Sequence, residues 1–123
     1  MLHFELDRGL GRLLLEPEGA LSADDFAALT RTIDPYLEQQ GKLTGLMIEA
    51  PAFPGWKDFS ALLSHIRFVR DHHRRIRRIA VVSDSRFLSV APQFASHFVG
   101  AELKPFEAAE REAALAWLKA PAP

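Results

Sequence analysis

Cysteine is absent from the 123 residues, which excludes disulfides, thiol catalysis and Cys-ligated zinc or iron–sulfur centres. Long apolar runs are missing too, since none approaches the roughly 20 residues that cross a bilayer. The opening, "MLHFELDRG", has acids where a secretory leader needs a basic and then an apolar stretch. A cytoplasmic location is therefore expected. Charge of one sign is lacking as well. Fifteen basic and sixteen acidic residues give a formal net charge of −1, with no global pull toward nucleic acid or an anionic membrane. GxGxxG, GxxxxGK[ST] and GxSxG are all absent, so backbone cradles for nucleotide phosphates and a serine-hydrolase elbow are missing. No cofactor and no catalytic residue are expected.

What is present suits a globular domain. Hydrophobic residues make up 48% and charged residues 25%, and the length fits one domain with a sizeable core. Residues 1–120 are read as that domain and 121–123 as a frayed tail. "HFEL" (3–6) and "GRLLLEPEG" (11–19) read as strands joined by the hairpin turn "DRGLG". Ser22 opens a helix with Asp24 and Asp25 in its first turn. Phe26, Leu29, Ile33 and Leu37 form its buried stripe, Pro35 predicts a kink and Gly41 ends it.

"LTGLMIEA" (43–50) is apolar enough for a strand covered on both faces. Trp56, Phe59, Leu63, Ile66 and Val69 predict a second helix, carried to about His73. "IRRIAVVSD" (76–84) supplies an interior strand. A third helix is predicted between Arg86 and Val99, then a short strand "AELKPF" (101–106), where Pro105 requires an edge or an end. "EAAEREAALAWL" (107–118) completes the order ββαβαβαβα. This predicts a single α/β domain with a mixed sheet of about five strands and about four helices.

Residues 67–78 hold Arg67, Arg70, Arg74, Arg75, Arg77 and Arg78 against one acid, Asp71. Such a cluster could grip phosphates. The competing structural reading is a solvated helix end, where arginines oppose the negative dipole. The second reading is preferred, because neither stacking aromatics nor a recognition helix accompanies the cluster. Nucleic acid is therefore not an expected partner. His72 and His73 are adjacent and diverge on a helix, and His65 and His72 lie roughly 10 Å apart along it. No metal site is expected, and His65 reads as a hydrogen-bonded boundary residue.

Ser83, Asp84 and Ser85 follow a strand at the sheet edge where α/β proteins place their sites. Their structural role, as turn and cap residues, is favoured over catalysis. The aromatics form the candidate ligand site. Trp56 and Phe59 follow one strand, Phe87 follows the next, and Phe94 and Phe98 share a helix face one turn apart. A cleft among these five would be apolar, with Ser85 and Arg86 placed to orient a polar head group. The alternative is that they are plain core.

"PGWKDFSALLSHIRFVRDHHRRIRRIAVVSDSRFL", followed by "FVGAELKPF" and "EAALAWL", resembles the SpoIIAA-like family, which is related to STAS domains. The resemblance covers nearly the whole chain. It rests on Gly55-Trp56, on "RIAVVSD" as central strand and on "AELKPF…AWL" at the end. It implies a mixed sheet with helices, and a non-enzymatic ligand-binding or interaction module. One departure stands out. Anti-sigma antagonists carry a phosphorylatable Ser or Thr where the central strand enters the second helix. Here "IEAPAFPGWKDFS" offers no hydroxyl before Ser60, which argues against that form of control.

Two classes of function follow. In the first, the aromatic cleft binds a small apolar or lipid-like ligand. In the second, the domain is a regulatory protein-interaction module of STAS type, meeting a partner or a second copy as a homodimer.

Overall fold

The computed structural model describes residues 1–51, 55–84 and 101–120. The chain opens with a hairpin, β1 (Leu2–Asp7) and β2 (Arg12–Pro17). The Asp7 carboxylate accepts the backbone N–H groups of Gly9 and Leu10, each at 3.0 Å, an Asx-type turn. Gly11 closes the loop with φ +67°, and a Cβ there would lie 2.7 Å from the Tyr36 hydroxyl. Only glycine fits both demands.

Helix α1 (Ala23–Gln40) begins with a capping box: Ser22 Oγ accepts from the Asp25 N–H and the Asp25 carboxylate accepts from the Ser22 N–H. It continues through Pro35 to Gln40 and stops at Gly41, whose φ of 83° breaks the ladder. Strand β3 (Leu43–Glu49) leads to α2 (Phe59–His72), a 3-10 turn (His73–Arg75) and β4 (Ile76–Ser83). Strand β5 (Glu102–Glu107) and a second 3-10 turn (Ala108–Glu110) precede α3 (Arg111–Lys119).

The five strands form one sheet in the order β1-β2-β3-β4-β5. The hairpin pair is antiparallel and the other three pairs are parallel. Successive right-handed crossovers that advance in one direction place their helices on one face, and α1 and α2 do lie together there. Leu13 and Leu15 of β2, Leu46 of β3 and Ile79 of β4 bury against Leu29, Ile33 and Leu37 of α1. The opposite face, Met47, Ala80, Val82 and Phe106, packs on Ala114 and Leu118 of α3. Gly45 permits that seat, because a Cβ there would come within 3.1 Å of Leu118.

The fold class is as expected: a single α/β domain with a five-stranded mixed sheet, and three helices among the described residues. The helix expected between Arg86 and Val99 and the tail at 121–123 lie outside those residues. β4 is interior and Pro105 falls on an edge strand, as its missing donor requires. The second helix is present as α2, and three of its large apolar side chains face outward. Phe59 and Ile66 are 71% and 56% exposed, with Leu63 also exposed. The face turned inward carries Ala61, Phe68 and His72 instead. Trp56 precedes α2 and pairs with Leu21 in an isolated parallel bridge.

Candidate functional site

The region where α1 meets α2 holds most of the polar chemistry that the fold gathers. Asp58 caps α2 by accepting the Ala61 N–H at 2.9 Å. Just before it, Leu21 N–H donates to the Gly55 carbonyl and Lys57 N–H to the Leu21 carbonyl, at 2.9 and 2.7 Å. These bonds pin Trp56 beside the start of α1. The Trp56 indole N–H then donates to His65 Nδ1 at 3.0 Å. The His65 ring stacks on Phe26 with centroids 4.9 Å apart. Phe26 contacts Phe68, and Phe68 stacks on His72 at 4.3 Å. A column of five rings thus runs between the two helices.

The column ends where the buried His72 meets the half-exposed Asp34. His72 Nδ1 donates to the Phe68 carbonyl at 2.8 Å, and Nε2 lies 2.7 Å from Asp34 Oδ1. Both ring nitrogens are engaged, so His72 presents no free edge to accept a substrate's proton. Burial lowers His65 below the ordinary imidazole value, which agrees with Nδ1 serving as an acceptor. Both histidines are structural here. Beside them, a groove of about 490 Å³ is lined by residues of both signs, including Arg31, Arg67, Asp34 and Asp71.

The arginine cluster divides along its length. Arg75 donates to the carbonyls of Leu37 and Gly41 at 2.7 and 3.1 Å, capping α1, whose own last turn has no basic residue. Arg78 is only 5% exposed. It donates to the carbonyls of Trp117 and Ala120, pairs with Glu102, and lies 5.0 Å over the Trp117 ring. Arg77 also donates to the Ala120 carbonyl. A solvated helix end was therefore too simple a reading. Half of the cluster caps two helices that are remote in sequence, which leaves Arg67, Arg70 and Arg74 exposed.

Of the seven residues expected to form the aromatic site, Trp56 and Phe59 fall among those described. Ser85, Arg86, Phe87, Phe94 and Phe98 lie outside them. Trp56 is 40% exposed and tied to His65, whereas Phe59 stands further out. Ser83 is buried and donates to the Pro51 carbonyl at 3.1 Å, which ties β4 to the loop after β3. Among the described residues, no group of three or more His, Asp or Glu side chains could hold a metal ion. Sequence reasoning missed the Asp34–His72 pair and the remote caps. A signal for the inward face of α2 was present, because Ala61, His65, Phe68 and His72 recur at helical spacing, but nothing in it pointed to Asp34.

A family model described as SpoIIAA-like matches residues 12–119. Among solved structures, the chain is similar to an uncharacterized protein of the DUF3478 family from Shewanella loihica, which has a SpoIIAA-like fold. The TM-score is 0.73 at 20% identity, covering 96% of this chain and 92% of that one. No curated protein matches.

Proposed function

The chain belongs to the SpoIIAA-like family, and within it we propose a non-enzymatic, regulatory binding module that meets a second copy through the outward face of α2. The observation that carries this is the row Phe59, Leu63 and Ile66 left at the surface along α2, with the part-exposed Trp56 just before it. Contiguous exposed apolar rows mark interaction sites more often than chance contacts. The absence of a proton-accepting edge on His72 supports a binding role over catalysis.

Sedimentation equilibrium tests the reading. The wild-type chain is expected to self-associate, and the double variant Phe59→Ser, Ile66→Ser to remain monomeric with its fold intact. A wild-type chain that stays monomeric at high concentration counts against it. A small-molecule form of the same idea draws on Trp56 and Phe59 both standing exposed after β3. There, an apolar or lipid-like ligand would rest on these rings. Native mass spectrometry separates the two, through a retained ligand mass or a ligand-free dimer.

A further inference from the structure

At the opposite edge of the sheet from Trp56, a pocket of about 240 Å³ opens where β2 and β3 begin and α3 ends. Arg12 and Lys119 line it, with the Thr44 side chain, and no carboxylate is among its lining residues. The remaining wall is apolar: Leu10, Gly45 and Leu118.

Two observations bear on these cations, the first shared with Arg77, whose Nε is likewise buried without a partner although its Nη2 donates to the Ala120 carbonyl. Arg12 Nε is buried and has no hydrogen-bond partner. Among the described residues, no ion pair reaches either Arg12 or Lys119. The acid facing Arg12 across the hairpin register is Asp7, whose Oδ1 accepts the N–H groups of Gly9 and Leu10 and which makes no ion pair with Arg12. Arg12 therefore lines a space whose charged groups are all cationic. Native proteins seldom leave a buried donor such as its Nε–H unsatisfied. The C-terminal carbonyls of α3 would oppose an anion here, but those of Trp117 and Ala120 are already covered by Arg77 and Arg78.

We propose that this pocket binds a small organic carboxylate, with its head group on Arg12 and Lys119 and a short apolar body against Leu10 and Leu118. A guanidinium grips a carboxylate through two parallel N–H bonds, and Arg12 brings such a fork to the pocket wall. The Thr44 hydroxyl provides a further polar contact. The volume lies below that of pockets for drug-sized ligands, so the class is a short-chain acid and not a long fatty acid. The site is separate from the α2 face and stands whether or not that face binds a second copy.

Nitrogen-15 NMR of the full chain, titrated separately with butyrate, butanol and inorganic phosphate, tests it. Butyrate is expected to give saturable shifts centred on the Arg12 side-chain Nε–H, Thr44 and Lys119. Butanol should give none, and phosphate should bind at least tenfold more weakly than butyrate. Arg12→Gln should abolish the butyrate shifts. Lys119→Gln, on an exposed helix end, should weaken them several-fold even if Arg12→Gln proves poorly folded. Phosphate binding as tight as butyrate would overturn the carboxylate assignment. No saturable shift with either anion, or shifts unchanged in Lys119→Gln, would overturn the site.

Discussion

Along α2, Phe59, Leu63 and Ile66 stand outward while Ala61, Phe68 and His72 turn toward α1 and the sheet. The outward stripe is the more hydrophobic, so hydrophobicity alone would have buried it. What the inward stripe has is partners. His72 meets both the Phe68 carbonyl and Asp34, His65 accepts from Trp56, and Ala61 is small enough to be fully covered. Polar groups can be buried at little cost when each is hydrogen-bonded. Complementarity with α1 therefore decides the orientation of α2, and the apolar stripe is left for another surface.

One phenylalanine from each stripe gives the largest contrast. Phe68→Ala should destabilise by about 2–3 kcal/mol, somewhat below the cost for a fully buried ring because Phe68 is half-buried. Phe59→Ala should change stability by no more than about 0.5 kcal/mol. Urea unfolding of the two variants checks this, and equal costs would break the assignment of faces. The pair between His72 and Asp34 should come next. His72→Ala leaves Asp34 without its partner and should cost about 1–3 kcal/mol. A double-mutant cycle with Asp34→Ala should return a coupling of about 1 kcal/mol. A coupling near zero would reduce the pair to coincidental proximity.

The sheet was legible because it depends on near-neighbour patterns. "RIAVVS" reads as an interior strand from its apolar run alone, and Ser22 with Asp25 forms a cap within four residues. The α2 orientation was less legible, since Asp34 and His72 are 38 positions apart and no local pattern pairs them. The arginines show the same limit. Periodicity could place Arg75, Arg77 and Arg78 after a helix, but the carbonyls they cap belong to α1 and α3. Of the candidate aromatic site, Trp56 and Phe59 can be compared, and they differ because the indole has a polar handle that His65 holds.

A smaller effect should appear with pH. Burial depresses the His65 imidazole in the folded chain, while in the unfolded chain it keeps its ordinary value near 6.5. Between the two values the unfolded state binds more protons, so stability rises with pH across that window. It is complete above about pH 6.5 and declines as the pH falls below it. Wild type should therefore lose stability between pH 7.5 and 5.5, and His65→Phe should lose less. An equal loss in both proteins would place the dependence elsewhere.

The smallest effect is expected from the ion pair on the outward side. Arg70 Nε lies 3.0 Å from Asp71 Oδ1, and the two side chains are 69% and 54% exposed. The hydrogen bond from Arg70 holds the Asp71 carboxyl below its ordinary value, yet water and salt surround both groups. At physiological ionic strength the screening length is about 8 Å, and exposed pairs of this kind contribute little to stability. By distance alone this pair differs little from Asp34–His72 at 2.7 Å. It differs in one partner: Asp34 is 47% exposed, much like Asp71, but the His72 side chain is 7% exposed and its nitrogens have no water to fall back on. Arg70→Gln should therefore leave the unfolding midpoint unchanged in 0.15 M salt, in a buffer where Asp34→Asn shifts it clearly. If the two variants moved the midpoint equally, burial would not be what separates the inner pair from the outer one.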